Sequence, residues 1–263
     1  MRLRTLPLLA ALALATAAHA QVGTAPADAR SRAPVDLTGY WVAVVTEDWR
    51  YRMMTPDKGD FTGIALNAAG RALMQKWDPA QDQANGEQCR AYGAAAIMRA
   101  PTRLHITWQD GSTLKLETDA GEQTRLFHFG ATPVREATPG WQGYSTANWE
   151  GIRARGGFGG VTAGLPTTAG LASSAPAPTQ DGYLKVMTSQ VRPGYLRKNG
   201  VPYGAGTTVE EYFDSFREPN GDVWLVVTSI VTDPEYLDQP FITSSQFKKT
   251  DAAKWNPTPC QAR

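Results

Sequence analysis

Cysteine and histidine are scarce in this chain, with two cysteines and three histidines among 263 residues. Cys89 and Cys260 stand far apart, and only His105 and His128 lie beyond the first twenty residues. A structural zinc centre needs several such ligands at short spacing, so no metal is expected. An excess of one charge is also missing, the formal net charge being +1. Nucleic acid and anionic membrane surfaces demand clustered Lys and Arg, so neither is an expected partner. The apolar run at residues 6–16 is too short for a membrane span, and no integral membrane segment is expected. The signature of a serine nucleophile is incomplete. Gly143-Tyr144-Ser145-Thr146-Ala147 lacks the second glycine and a preceding strand, which leaves Ser145 a loop serine. Gly156, Gly157, Gly159, Gly160 and Gly164 neither follow a strand nor open a periodic helix, so they do not form a phosphate-binding loop.

The start of the chain reads as a secretory signal over residues 1–20. Arg2 and Arg4 precede the apolar run, and Ala18-His19-Ala20 supplies the small-residue cleavage site. Its removal takes away two arginines and brings the formal charge from +1 to −1. The expected mature protein begins at Gln21 and is periplasmic or secreted. An oxidising compartment favours a disulfide between Cys89 and Cys260; two buried free thiols are the alternative. Residues 21–35 lack periodicity and read as a flexible leader. Residues 36–263 then form a single domain.

Within that domain, residues 99–129 are three alternating runs joined by Asp110-Gly111 and Asp119-Ala120-Gly121, a β-meander. Asp110-Gly111 suits a two-residue hairpin in which His105 faces Leu116 and Thr107 faces Leu114. The second turn suits a three-residue loop with a left-handed glycine. On that register Arg125 and Phe127 share a face with Leu104, Ile106 and Trp108. His105 and His128 lie too far apart to form a pair; which face is inside stays open. The strongest hairpin signal is Glu218-Pro219-Asn220-Gly221-Asp222, which pairs Phe216 with Trp224 and Tyr212 with Thr228. One helix is expected over residues 66–77 with Asn67 as N-cap, followed by a polar loop over 78–88. Residues 47–51 are either a binding rim or an amphipathic strand end. The Gly-, Ala-, Ser- and Thr-rich tract at 153–182 reads as a flexible insertion, with residues 156–180 dispensable for folding. Roughly nine to eleven strands, one short helix and no βαβ alternation predict an all-β fold, an antiparallel barrel in preference to a sandwich.

Gly39-Tyr40-Trp41 at the head of the first strand resembles the lipocalin and wider calycin barrels, and that resemblance implies that Trp41 closes one barrel end. Trp141-Gln142-Gly143-Tyr144-Ser145 followed by Trp149-Glu150-Gly151 resembles a large group of secreted bacterial proteins of mostly unassigned function. The similarity extends to the hairpin around Pro219-Asn220-Gly221. In that group a strand follows W-E-G directly, whereas here the glycine-rich tract does.

Aromatic residues are the main functional clue, since a barrel of this size can enclose an apolar cavity. The leading expectation is a lipocalin-like protein binding a small hydrophobic or aromatic molecule, with Trp49, Trp141, Tyr144 and Trp149 as binding residues. The alternative is a cofactor-independent lyase, isomerase or hydrolase using Glu150 with His128 or Arg125. A carboxylate desolvated beside tryptophans can act as acid or base, and an arginine can clamp an anion. Each has a plainer reading: Glu150 as a turn residue, the histidines as hydrogen-bonded structural groups, Arg125 as the cross-strand partner of Glu117. A third possibility is a cell-envelope interaction protein whose aromatics fill a solid core.

Overall fold

The computed structural model describes residues 28–130, 138–151 and 182–262. The expected signal peptide, the first part of the leader and nearly all of the 153–182 tract lie outside the described residues. Eleven strands are present: β1 (Gly39–Val44), β2 (Arg103–Trp108), β3 (Thr113–Thr118), β4 (Thr124–Phe129), β5 (Tyr144–Gly151), β6 (Gly182–Ser189), β7 (Gly194–Arg197), β8 (Val201–Tyr203), β9 (Thr208–Arg217), β10 (Val223–Thr232) and β11 (Phe241–Thr250). Nine close into a barrel in the order β1-β11-β10-β9-β6-β5-β4-β3-β2, while β7 and β8 form a separate ribbon. Eight of the nine pairings are antiparallel and β4·β5 is parallel. Parity requires this. Directions cannot alternate all the way round a ring with an odd number of strands, so an odd barrel must hold at least one parallel pair.

The first turn of the meander differs from expectation. Asp110, Gly111 and Ser112 all lie in the connection, with Gln109 N–H donating to the Thr113 carbonyl and the Asp110 side chain accepting from Ser112 N–H at 2.8 Å. The register moves by one: Trp108 pairs with Leu114, Ile106 with Leu116 and His105 with Glu117. Because side chains alternate along a strand, this slip puts Leu114 and Leu116 on the face of Leu104, Ile106 and Trp108. That face is the interior, and His105 is outside. The second loop is longer than expected, since Glu117 already pairs with Thr124, but Gly121 does take the left-handed conformation, at φ 80°. The later hairpin has the expected register, Phe216 with Trp224 and Tyr212 with Thr228, around Gly221 at φ 90°.

The inward residues make one apolar core, including Trp41, Leu104, Ile106, Leu114, Leu116, Phe127, Phe213, Leu225 and Phe247. Trp41 is fully buried near the rim where β1 begins, and its Nε1 donates to the Leu37 carbonyl at 2.9 Å. At the same rim Trp108, Phe129 and Trp149 pack together, and Trp149 Nε1 donates to the Ala29 carbonyl. The end of the leader is therefore ordered: Ala29 is buried there, and Arg30 N–H bonds to the Gly111 carbonyl.

A cap covers the opposite rim. It contains α1 (Trp49–Arg52), α2 (Ala68–Met74), α3 (Pro79–Ala84), the β7–β8 ribbon and the β10–β11 connection. Asn67 caps α2 as expected, accepting from Gly70 N–H at 2.9 Å. The supposed polar loop begins instead with α3, because Asp78 accepts from Ala80 and Gln81 N–H groups and Pro79 suits a first helical position. A second apolar core joins cap to barrel through Met74, Ala94, Val191, Leu196, Tyr203, Val209, Val231 and Leu237. Asp233 fastens this junction by accepting from Gly204 N–H, the Thr207 hydroxyl, and Glu235 and Tyr236 N–H groups. The disulfide joins Cys89 to Cys260 with Cα atoms 5.1 Å apart. It holds the C-terminal tail, whose Thr258 bridges to Ala120.

Candidate functional site

The barrel lumen is occupied. Phe127 on β4 meets Phe213 on β9 with centroids 5.4 Å apart, a contact that spans the interior because β5 and β6 intervene in the wall. Next to it Arg125 Nη1 donates to Glu211 Oε1 at 2.9 Å, and Nη2 reaches Glu211 Oε2 and the Thr188 hydroxyl. Ser145 Oγ lies 2.7 Å from that hydroxyl. Arg125 thus pairs across the barrel with Glu211, not along the sheet with Glu117 as expected. Ser145 is an inward strand residue, not a loop serine.

Glu150 and His128 are elsewhere. Alternation along β5 turns Glu150 outward, where the Tyr183 hydroxyl donates to it at 2.8 Å. That bond raises the Tyr183 phenol above its ordinary value. His128 stacks on Tyr144 on the outer face, with centroids 5.0 Å apart. His105, also outside, stacks on Tyr40 and lies 3.2 Å from Glu117. The three proposed catalytic residues are therefore split between the sealed interior and the outer wall and share no site.

The aromatic candidates are equally dispersed. Trp149 is under the N-terminal segment at one rim, and Trp49 is 61% exposed on α1. Trp141 is covered by the Arg192 guanidinium 4.2 Å from its ring centre, and Tyr144 belongs to the outer stack with His128.

A different set converges in the cap. A cleft of about 240 Å³ lies between α2, α3 and the β7–β8 ribbon, walled by Leu73, Trp77, Pro193, Tyr195, Pro202 and Tyr236. Gly200, at φ 82°, lets the ribbon approach Trp77 so closely that an added Cβ would fall 2.3 Å from the indole Cγ. The polar side of the cleft is one connected network. Arg90 Nη1 donates to Asp82 Oδ1 at 2.9 Å and to the Tyr195 hydroxyl at 3.0 Å, while that hydroxyl donates to Asp82 Oδ2 at 2.8 Å. Arg90 Nε continues to Glu87, which also pairs with Arg192. Burial, countered in part by the hydrogen bond from Arg90 and reinforced by the bond to Asp82, pushes the Tyr195 phenol up to about 12. Tyr195 therefore stays a hydrogen-bond donor at every physiological pH. An apolar wall facing a fixed donor and acceptor network is the chemistry of a small-molecule site.

The cleft leaves no local signature in the sequence because its parts are distant in the chain. Only the Asp78-Pro79 step, a helix-start signature taken for a loop, marked one edge of it. Among the described residues no group of three or more His, Cys, Asp or Glu is placed to hold a metal ion, and no helix is long and apolar enough to cross a membrane. Compared with known proteins, the chain matches no family model, no curated protein and no solved structure.

Proposed function

We propose that this is a periplasmic or secreted binding protein of lipocalin-like architecture that takes a small molecule with an aromatic or apolar body, seated in the cap cleft and not in the lumen. The observation that carries this reading is the pairing of a bridged lumen with an aromatic cleft at the capped rim. At about 240 Å³ the cleft suits a ligand built around one ring, its face against Trp77 and a polar group directed at Tyr195 and Asp82. Export is supported by the Ala18-His19-Ala20 cleavage motif, and by a disulfide, which persists in oxidising compartments.

The test is fluorescence titration of the mature protein with single-ring aromatics such as p-cresol and benzyl alcohol. Saturable quenching that disappears in Trp77→Phe supports the cleft; quenching that survives the substitution moves the site elsewhere. The bridged lumen also suits an envelope interaction protein with a filled core. That reading is left standing if no saturable binding occurs. Mass spectrometry of exported protein should give a chain starting at Gln21.

A further inference from the structure

Three arginines that are distant in sequence meet beneath a second cleft of the cap. Arg52 closes the short helix α1, Arg99 ends the turn before β2, and Arg197 ends β7. Their exposures are 2%, 7% and 5%, an unusual depth for residues that normally keep their charge in water. Arg52 Nε donates to the Arg99 carbonyl at 2.9 Å, Arg99 Nη2 to Asp48 Oδ2 at 3.0 Å, and Arg197 Nη2 to the Thr62 carbonyl at 2.8 Å. The Arg197 guanidinium lies 4.1 Å from the centre of the Tyr51 ring, and that of Arg99 lies 5.3 Å from the centre of Phe241.

These contacts leave donors over. Arg52 Nη1 and Nη2 and Arg197 Nε and Nη1 are buried without a hydrogen-bond partner. Three carboxylates stand nearby but leave these donors unbonded. Glu47 stands 3.6 Å from Arg52 without forming a hydrogen bond, and Asp48 serves Arg99. Asp60 is shared with the exposed Arg50 at 4.0 Å. Burial first, and then the neighbouring charge of Arg99, hold both Arg52 and Arg197 below the ordinary arginine value. Buried guanidinium groups that repel one another and keep unbonded donors are complementary to an oxyanion.

A cleft of about 350 Å³ opens onto two of them, with Arg99 and Arg197 in its wall, Thr243 beside them, and the carboxylates of Glu47 and Asp48, which face Arg52 and Arg99, on the same wall. Ile242, 62% exposed, forms an apolar lip. We infer that this cleft is an anion site, in which Arg99 and Arg197 hold the carboxylate or phosphoryl group of a small organic molecule while Arg52 adds its charge from behind. Thr243 offers a hydroxyl donor to the same group, and Ile242 shelters the organic part. The site shares no lining residue with the Trp77 cleft and does not depend on the function proposed for it.

The experiment is calorimetric titration and thermal unfolding of the mature protein with sodium phosphate or sodium benzoate, at ionic strength held constant with chloride. The expected result is saturable binding of at least one anion, accompanied by a rise in melting temperature. Arg197→Met should weaken that binding at least tenfold. The unliganded variant should melt at or above the wild-type temperature, because one of the repelling cations is gone. Tighter phosphate would assign a phosphoryl ligand, and tighter benzoate a carboxylate with an apolar body. Arg197→Lys keeps the charge but loses the planar fork; it provides a folded comparison if the methionine variant fails to fold, and should also bind more weakly. The inference is overturned if neither anion binds saturably, if binding is equal in wild type and the folded variants, or if Arg197→Met lowers the melting temperature equally with and without anion.

Discussion

Arg125 on β4 and Glu211 on β9 are bonded through the middle of the barrel, 2.9 Å from Nη1 to Oε1, with neither side chain exposed to water. Such a pair specifies how opposite walls meet more than it stabilises them, because both charges have left solvent. Removing one partner strands the other. Arg125→Met should therefore destabilise the protein by about 3–5 kcal/mol, whereas the double variant Arg125→Met/Glu211→Leu should recover most of the loss. Urea unfolding of the two variants checks this, and a double variant as unstable as the single one would refute it.

The Tyr195 phenol gives a pH effect whose sign can be worked out. Its folded value is raised to about 12, against an ordinary value near 10. Its contribution to stability is thus fully present below about pH 10 and is lost as pH rises from there toward 12. Burial also holds the Tyr203 phenol above its ordinary value, so absorbance at 295 nm should show late-titrating tyrosines whose amplitude falls by one residue in Tyr195→Phe. If the variant keeps the same late component, the Asp82–Arg90–Tyr195 network does not hold the proton.

Gly200→Ala tests the cleft without touching its polar groups. The added methyl needs the left-handed conformation, at about 1–2 kcal/mol, and would collide with Trp77. Binding of single-ring aromatics should be lost, while the far-ultraviolet circular dichroism of the barrel is retained. Unchanged affinity would place the ligand outside the Trp77 cleft.

Glu150→Gln should have little effect. The Tyr183 hydroxyl can still donate to an amide oxygen on the outer wall, so stability should stay within about 0.5 kcal/mol of wild type and ligand affinity should be unchanged. A large loss of turnover in any activity found for the protein would restore Glu150 as a catalytic group.

The disulfide closes a loop of 171 residues. Chain-entropy reasoning gives a stabilisation of roughly 5 kcal/mol as an upper value. Denaturant unfolding before and after reduction should show a difference of this order or smaller. Two thiols that alkylate freely in the native protein would contradict the pairing.

What could be read from the sequence was local. The Phe216–Trp224 register followed from a turn whose glycine position fixes the pairing, and the Asn67 cap followed from one side chain three residues from its target. The Asp110 turn was misread because Asp-Gly fits either of two loop lengths, and the choice moves Leu114 and Leu116 through the sheet. The closed ring could be anticipated from strand number, but its parallel pair could not, since the excursion into the β7–β8 ribbon hid the strand count. The clefts were invisible for another reason. Trp77, Asp82 and Tyr195 come from separate elements, as do Arg52, Arg99 and Arg197, and no spacing rule links residues that only the tertiary fold brings together. Arg125 was noticed, but its partner Glu211 lies on a strand whose place in the ring depends on the whole topology.

Closure of the ring by its first and last strands has a consequence for how the chain comes into being. Tyr40 pairs with Thr250 and Val44 with Gln246, so β1 has no partner on that side until about 200 further residues have been made. A chain emerging from its amino end therefore holds an unsatisfied strand edge until β11 has been made. Contacts of such long sequence separation form slowly, and an open edge is a template for pairing with other chains. A product truncated before Phe241 would expose two such edges, on β1 and on β10. Completion of the last strand, followed by the tail that Cys260 anchors, turns an aggregation-prone sheet into one without edges.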